Sequence, residues 1–400
     1  DPLDIVDGIP LEALIAKRTS GLMQPQLAPA IEKATRRQYP QGIAPHGTDA
    51  LRLTFAALAS PSREIRFELA RVGGYRNFCN KLWNAARFVT QRISAADGPE
   101  RGAGEISAAR EQLTLSVADR WIRARFGRAL SEVESAFADY RFDRVAMALY
   151  KFTYDDFCDW YIELTKPVLE SDATAPAARR AAQQTLAQIL EALQRALHPL
   201  MPFITEEIWL RVAPLAGVAG ETVMLEPYPH AADFPADEAA EREIAWIQRL
   251  VLGVRQIRGE MNISPAKRIP VLLKDASAED ERQLARDRTW LERLAGLESL
   301  TLLAPGTQPP QSAMALAGTL SVLVPMAGLI DADAEAERLG RLLARAQSDL
   351  EKTREKLARE SFVRNAPEQV VTLERERLAE LERTASGLAA QLERVRGLRS

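Results

Sequence analysis

Apolar residues recur at intervals of three and four along much of the chain, which is the spacing that places them on one face of an α-helix. The pattern is brief over residues 49–59 and becomes sustained from residue 71 to about residue 214. Helices are predicted there over residues 75–93, 116–140, 143–166 and 177–197, with loops at 97–104 and 171–176. Long helices joined in this way predict an antiparallel bundle.

The pattern changes beyond residue 226. Residues 227–235 are rich in proline and show no periodicity, and a helix is predicted over residues 239–260. Short apolar or β-branched runs follow at residues 269–273, 300–303 and 320–324, and the first two flank a helix predicted over residues 278–297. Short strands that alternate with helices predict a small α/β module.

The last section has the composition of a long helix pair, since it consists almost entirely of Ala, Arg, Glu, Leu and Lys. Apolar positions alternate at spacings of four and three in two segments, with Asn365 and Pro367 between them. The predicted seam positions are Leu339, Leu343, Ala346, Leu350, Thr353 and Leu357 in the first segment, and Val371, Glu374, Leu378, Leu381, Ala385, Leu388, Leu392 and Val395 in the second. An antiparallel coiled-coil hairpin is predicted.

The predicted fold class is therefore mainly α, with four parts. Residues 1–70 form a connector, residues 71–226 a helical bundle, residues 227–330 the small α/β module and residues 331–400 the coiled-coil arm. A chain of 400 residues is too long for one ordinary core, which agrees with several domains.

The amino-acid composition of the chain excludes several classes of protein. With 46% hydrophobic and 27% charged residues the chain is of the globular type, and its net charge of -3 means that any contact with nucleic acid must be local. Cys79 and Cys158 are the only cysteines and are far apart, which excludes a disulfide framework or a cysteine zinc site and favours a reducing cytoplasm. No apolar run reaches the roughly 18 residues of a membrane span. The chain begins at Asp1 without Met, which suggests a piece of a longer protein.

The helix predicted over residues 75–93 carries an unusual polar face. Its apolar positions fall on one side, whereas Asn77, Asn80, Lys81, Asn84 and Phe88 gather on the other. Asparagine is a poor helix former, yet carboxamides can hydrogen-bond the edge of an unpaired base and an aromatic ring can stack on it. This face predicts contact with single-stranded RNA. The alternative is that the asparagines bond neighbouring helices and that Phe88 is buried in a second layer.

The run from Gly74 to Ala85, Gly-Tyr-Arg-Asn-Phe-Cys-Asn-Lys-Leu-Trp-Asn-Ala, resembles the first helix of the anticodon-binding bundle in valyl-tRNA synthetases, which are class I aminoacyl-tRNA synthetases. The start of the chain is similar to the segment just after the KMSKS loop of that family. Residues 23–27 and 46–52 resemble its stem-contact region, and residues 198–209 are similar to a run shared by valyl, isoleucyl and leucyl enzymes. Residues 257–265 and the terminal arm favour the valyl subgroup, since isoleucyl enzymes often end in a cysteine zinc module.

The resemblance implies tRNA(Val) as the partner, with no membrane contact and a monomeric chain. Carried over by position, the anticodon-loop contacts fall on Asn80, Lys81, Asn84, Phe88, Arg71 and Arg87. The arm docks on the outer corner of the tRNA in this family, and the basic residues near its tip are Arg354, Lys356, Arg359 and Arg364.

The resemblance also implies an absence of catalysis in this piece. Neither the ATP signature of the family nor its KMSKS motif is present, so we expect no catalytic residue, metal or cofactor here, although the full-length ligase uses ATP and Mg²⁺ to attach valine in protein biosynthesis. The acidic positions Asp155, Asp156, Asp159 and Glu163 lack a nearby histidine and are interpreted as structural. Two alternatives stay open, an isoleucyl or leucyl enzyme fragment and a coiled-coil scaffold that binds no RNA.

Overall fold

The computed structural model describes residues 1–61, 67–94, 114–326, 332–359 and 368–397, and the chain divides into two units, Asp1–Ile244 and Ala245–Ser400. Helices build the first unit. They are α1 (Pro2–Val6), α2 (Leu11–Thr19), α3 (Ala28–Gln38), α4 (Thr48–Leu58), α5 (Leu69–Ser94), α6 (Val117–Ala138), α7 (Phe142–Lys151), α8 (Ile162–Glu170), α9 (Pro176–Leu197) and α10 (Pro202–Val212). The predicted loop at 97–104 lies outside the described residues.

The inward face of α5 is the predicted one. Phe78, Leu82, Ala86 and Val89 are buried, and the half-buried Tyr75 meets the ring of Tyr150 edge-on at 5.9 Å between centroids. The hydrophobic spacing thus predicted correctly which side of α5 packs into the bundle, and thereby which side remains for a partner.

A π-helical segment, Phe152–Tyr161, joins α7 to α8, so the chain stays helical from residue 142 to residue 170. The sequence predicted one helix over residues 143–166, which is confirmed as a helical stretch, but the wider winding was not predicted. Wider turns of this kind occur frequently at functional sites. This segment packs against α5, and it therefore borders the polar face of that helix.

The connector is fastened to the bundle by α4. The carboxylate of Asp49 accepts hydrogen bonds from the backbone N–H groups of Phe203 and Ile204 at the start of α10, at 3.3 and 2.7 Å. Arg52 donates to the carbonyls of Pro199 and Leu200 at 3.0 and 3.1 Å. Two stretches that resemble family motifs, residues 46–52 and 198–209, therefore meet and cap one helix end.

The second unit contains a four-stranded sheet. Helix α11 (Glu238–Glu260) leads into β1 (Ile269–Lys274), α12 (Ala278–Leu294), β2 (Leu297–Leu302), β3 (Ser312–Ala317) and β4 (Leu320–Pro325), and the strand order is β2-β1-β4-β3. β1 and β2 are parallel, whereas β4 is antiparallel to both β1 and β3. The predicted module is present, with two corrections. Helix α12 ends three residues early so that β2 begins at Leu297, and β3 was not predicted because its alanines are poor strand formers.

The two faces of this sheet differ. On the face shared by Val271, Ala315 and Val322 the side chains are buried, and a Cβ placed on Gly253 of α11 would lie 3.5 Å from the Cβ of Ala315. On the other face, Met314 and Leu316 of β3 are exposed. Helix packing therefore covers one side of β3, and the other side is open.

Two long helices end the chain, α13 (Ala332–Ala358) and α14 (Glu368–Gly397). Leu339, Thr353, Val371 and Leu392 are buried between them, which confirms the predicted seam where side chains are described. The seam position Glu374 is 14% exposed and binds Lys356 of the facing helix at 2.5 Å. This charge pair therefore joins the two helices beside their apolar seam. The predicted break at Asn365 and Pro367 lies outside the described residues.

Candidate nucleic-acid interface

The outward face of α5 presents open carboxamides. The side chains of Asn77, Asn80 and Asn84 are exposed, and none of them hydrogen-bonds to another residue in the part of the chain that the structure describes. Residues three and four apart lie on neighbouring turns of one helix face. The helix thus holds a row of donors and acceptors that no internal contact uses, which is the arrangement that base-edge recognition needs.

Lys81 sits beside this row but is held by the π-helical segment. Its Nζ lies 2.5 Å from Oδ1 of Asp159 and 3.2 Å from the ring centroid of Tyr154. Burial lowers the pKa of Lys81, but the hydrogen bond and negative charge of Asp159 outweigh burial and raise the pKa overall. The lysine is therefore charged and already has a partner, so any phosphate must compete with Asp159.

Phe88 is half-buried at the other end of the row. The guanidinium of Arg92 lies 5.5 Å from the ring centroid and the ammonium of Lys166 lies 5.9 Å from it. Both cations are in turn bound by carboxylates, Arg92 by Glu170 at 2.8 Å and Lys166 by Glu163 at 2.5 Å. The ring is consequently fixed between two ion pairs, with part of its surface accessible to solvent.

The two remaining candidates on α5 lie farther apart. Arg71 is exposed in the first turn, and Arg87 is exposed next to a small cavity that Trp83 and Arg211 also line. Sixteen residues of helix separate these arginines, which corresponds to about 24 Å. Asn80, Asn84 and Phe88 span only about 12 Å of the helix axis, the scale of a few unstacked bases. The structure therefore brings these three together and leaves Arg71 apart from them.

Of the four acidic positions interpreted as structural, which lie in the π-helical segment and α8, three serve as ion-pair partners. Asp156 binds Arg125 at 3.1 Å, while Asp159 and Glu163 bind the lysines described above. Among the residues described, no three His, Cys, Asp or Glu side chains are grouped to hold a metal ion. Burial raises the pKa of the Cys79 and Cys158 thiols to about 12, which keeps both protonated near neutral pH.

Sequence reasoning missed the partners of the polar face. Tyr154 and Asp159 are far from Lys81 in sequence, and only the packing of the π-helical segment on α5 brings them together. The available signal was the density of aromatic and acidic residues over 152–161, which was considered only as a possible metal site and rejected as one.

The basic residues of the arm are partly neutralised. Arg354 binds Glu382 of the facing helix at 2.6 Å, and Lys356 binds Glu374. Arg359 is exposed and has no ion pair with any described residue, whereas Arg364 lies outside the described residues. No helix in the described ranges is long and apolar enough to cross a membrane.

Two protein families match the chain. The anticodon-binding domain of tRNA ligase matches residues 119–273, which hold most of the bundle and the start of the sheet. The valyl tRNA synthetase tRNA binding arm matches residues 331–396, which hold the helix pair. The first match defines the class, a tRNA ligase of the aminoacyl-tRNA synthetase type with a helical anticodon-binding domain.

The second match identifies the member of that class. Together the two matches support a C-terminal region of a valyl-tRNA synthetase that holds tRNA-binding domains. The predicted resemblance, the mainly α fold and tRNA as the partner are thereby confirmed. Helix α5 precedes the first matched residue, so the individual contacts assigned to it stay predictions.

Proposed function

We propose that this chain recognises the anticodon loop of tRNA(Val) through α5 and holds the outer corner of the tRNA through the arm. The observation that carries the proposal is the row of open carboxamides at Asn80 and Asn84, which leads to the accessible part of the Phe88 ring. Amides that a folded protein leaves exposed on a helix contribute little to stability. Their placement is accounted for by an external hydrogen-bonding partner such as a splayed base.

In this proposal, the chain is part of an enzyme that attaches valine to tRNA(Val) with ATP and Mg²⁺. The enzyme acts in the cytoplasm and is monomeric. Residues 1–70, 71–226, 227–330 and 331–400 serve respectively as stem-contact connector, anticodon-binding domain, small module and coiled-coil arm. This chain by itself is catalytically inert, because the ATP signatures of the family are absent from it. Valine-dependent exchange between ATP and pyrophosphate above background would contradict that statement.

Alanine at Asn84 or at Phe88 is expected to weaken binding of tRNA(Val) by about 1–3 kcal/mol each, because the first removes base-edge hydrogen bonds and the second removes a stacking surface. Fluorescence titration with a labelled transcript measures the change. Ser131→Ala is the matched control, since Ser131 is an exposed polar residue on α6 of the same bundle.

Thermal melting separates binding from folding in these variants. Asn84→Ala should melt like the wild type, because the amide makes no hydrogen bond to a described residue. Phe88→Ala removes the ring on which two cations pack and should melt lower by a few degrees. If Asn84→Ala leaves tRNA affinity unchanged, the carboxamide row is not part of the interface.

Removing the carboxylate of Asp159 is expected to strengthen tRNA(Val) binding about 3- to 10-fold at low salt, because Asp159→Asn frees Lys81 for a phosphate and removes a repelling charge. Asp155→Asn is the matched control: it removes the same charge from the same segment and leaves the pair between Lys81 and Asp159 intact. Binding that becomes weaker in Asp159→Asn would show that Lys81 acts only by fastening α5 to its neighbour.

A further inference from the structure

The two edge strands of the four-stranded sheet, β2 and β3, differ in the charged and covering groups that they carry. At the β2 edge, Glu298 is exposed, and Arg288 of α12 donates to the carbonyl of Leu300 at 2.7 Å. The β3 edge has no charged residue in its strand. Natural edge strands usually carry charges, prolines or covering groups that prevent another strand from pairing with them. Among the residues that the structure describes, groups of this kind protect the β2 edge but not the β3 edge.

The register of the hairpin shows which backbone groups of β3 face outward. β3 and β4 are joined by a two-residue turn at Gly318 and Thr319, and Ala317 lies opposite Leu320. In a two-residue hairpin the residues that flank the turn, here Ala317 and Leu320, form a hydrogen-bonded pair. Hydrogen-bonded and non-hydrogen-bonded pairs then alternate along the two strands. Met314 and Leu316 are at the alternate positions, so their N–H and C=O groups point away from β4. In the described part of the chain, β3 pairs with β4 alone.

The side chains at this edge are apolar and accessible. Met314 is 60% exposed and Leu316 is 67% exposed on the open face of the sheet. On the opposite face, α11 lies close over Ala315 at Gly253. A strand added beyond β3 would have the exposed side chains of Met314 and Leu316 beside one of its faces.

Charge restricts what this edge can accept. Residues 299–330 contain no Asp, Glu, Lys or Arg, although 27% of the whole chain is charged. A charged peptide would therefore lose hydration at this edge and find no opposite charge within the strand or the adjoining turn. An uncharged segment with alternating apolar side chains suffers no such loss.

We propose that the β3 edge is a docking site at which an extended, uncharged apolar segment of another protein adds as a fifth strand. Backbone hydrogen bonds to Met314 and Leu316 supply affinity, and the exposed apolar side chains of these two residues select the segment. A second copy of the chain fits less well. A stable dimer buries about 800 Å² on each partner, over roughly 20–30 residues, which this short edge does not offer.

The test uses the full chain and a fluorescent eight-residue peptide of alternating Val and Ser with blocked ends. Saturable binding is expected, and the double variant Met314→Lys/Leu316→Lys should weaken it at least tenfold. The matched control is Ser299→Lys/Thr301→Lys, which places the same charges at exposed positions of the opposite edge strand and should change binding less than twofold. Circular dichroism melting confirms that both double variants are folded.

A second peptide distinguishes strand addition from nonspecific binding to the apolar side chains. The same peptide methylated on alternate backbone nitrogens keeps its side chains but lacks the N–H donors that a ladder needs, so it should not bind. Equal binding of both probes, equal binding to both double variants, or no saturable binding up to millimolar peptide would each overturn the proposal. A concentration-dependent dimer in sedimentation that Met314→Lys/Leu316→Lys disperses would overturn it in favour of a second copy.

Discussion

Replacing Arg258 with Met is expected to lower the free energy of unfolding of the second unit by about 3–5 kcal/mol. Arg258 is only 8% exposed, and its guanidinium donates to the carbonyls of Ser264, Lys267, Ala295 and Gly296 at 2.9–3.1 Å. Hydrogen bonds to a charged group contribute about 1.5–3 kcal/mol each and are not additive. Their removal takes one donor from each of the four carbonyls, of which those of Ser264 and Gly296 keep a backbone N–H donor. Arg258 thereby ties the loop after α11 to the end of α12.

Urea unfolding followed by circular dichroism measures this change. Arg255→Met is the matched control, because Arg255 is exposed one turn earlier on the same helix and its hydrogen bond to the carbonyl of Leu294 is long, at 3.5 Å. The control should cost less than about 1 kcal/mol. Arg258→Lys should not restore stability, since one ammonium cannot reach four carbonyls in the planar arrangement of a guanidinium. If Arg258→Met unfolds at the same urea concentration as Arg255→Met, this role for Arg258 is wrong.

Removal of the arm after residue 330 is expected to weaken tRNA binding by on the order of tenfold or more at about 0.1 M salt, equally for cognate and anticodon-substituted transcripts. We expect basic side chains on the arm to meet phosphates, which give affinity without base specificity. The plot of log affinity against log salt should become less steep by about one unit for each phosphate that the arm neutralises. Titration at two or more salt concentrations measures both effects, and sedimentation reports whether the shortened chain is a folded monomer.

Substitutions in the full chain measure how much individual basic residues of the arm contribute to tRNA binding. Arg359→Ala should reduce the salt dependence directly, because Arg359 has no ion pair with a described residue. Arg354 and Lys356 are bound by glutamates of the facing helix, so their effect on RNA should be smaller. The double variant Lys356→Met/Glu374→Leu removes the pair and keeps the seam apolar, which isolates any phosphate binding by Lys356 from its ion pair with Glu374. Unchanged tRNA affinity after arm removal, together with dissociation of a dimer, would support a scaffold instead.

Local patterning was enough to predict most of the fold. The inward face of α5 and the seam of the arm followed from apolar spacing, because those residues are buried at the positions that the period required. Strand β3 was missed since Ser-Ala-Met-Ala-Leu-Ala has low strand propensity and is held as a strand by its pairing with β4. The π-helical winding over 152–161 was also missed, because no local signal distinguishes it from an ordinary helix.

The candidate site was predictable only in part. Helical spacing placed Asn80, Asn84 and Phe88 on one face, and the structure leaves both amides exposed there. The pairing of Lys81 with Asp159 and Tyr154 depends on tertiary packing between segments distant in sequence, which periodicity does not contain. The same limit applies to the arm, where the sequence shows clustered basic residues but the facing helix supplies the acids that bind them.

The central claim is that the carboxamide row of α5 reads the anticodon, and a ratio of affinities tests it most directly. Dissociation constants are measured for tRNA(Val) and for a transcript with a substituted anticodon, with the wild-type chain and with the double variant Asn80→Ala/Asn84→Ala. We predict that the wild-type chain prefers tRNA(Val) and that the double variant loses most of this preference while it still binds both transcripts through the arm. An undiminished preference in a folded double variant would contradict the account.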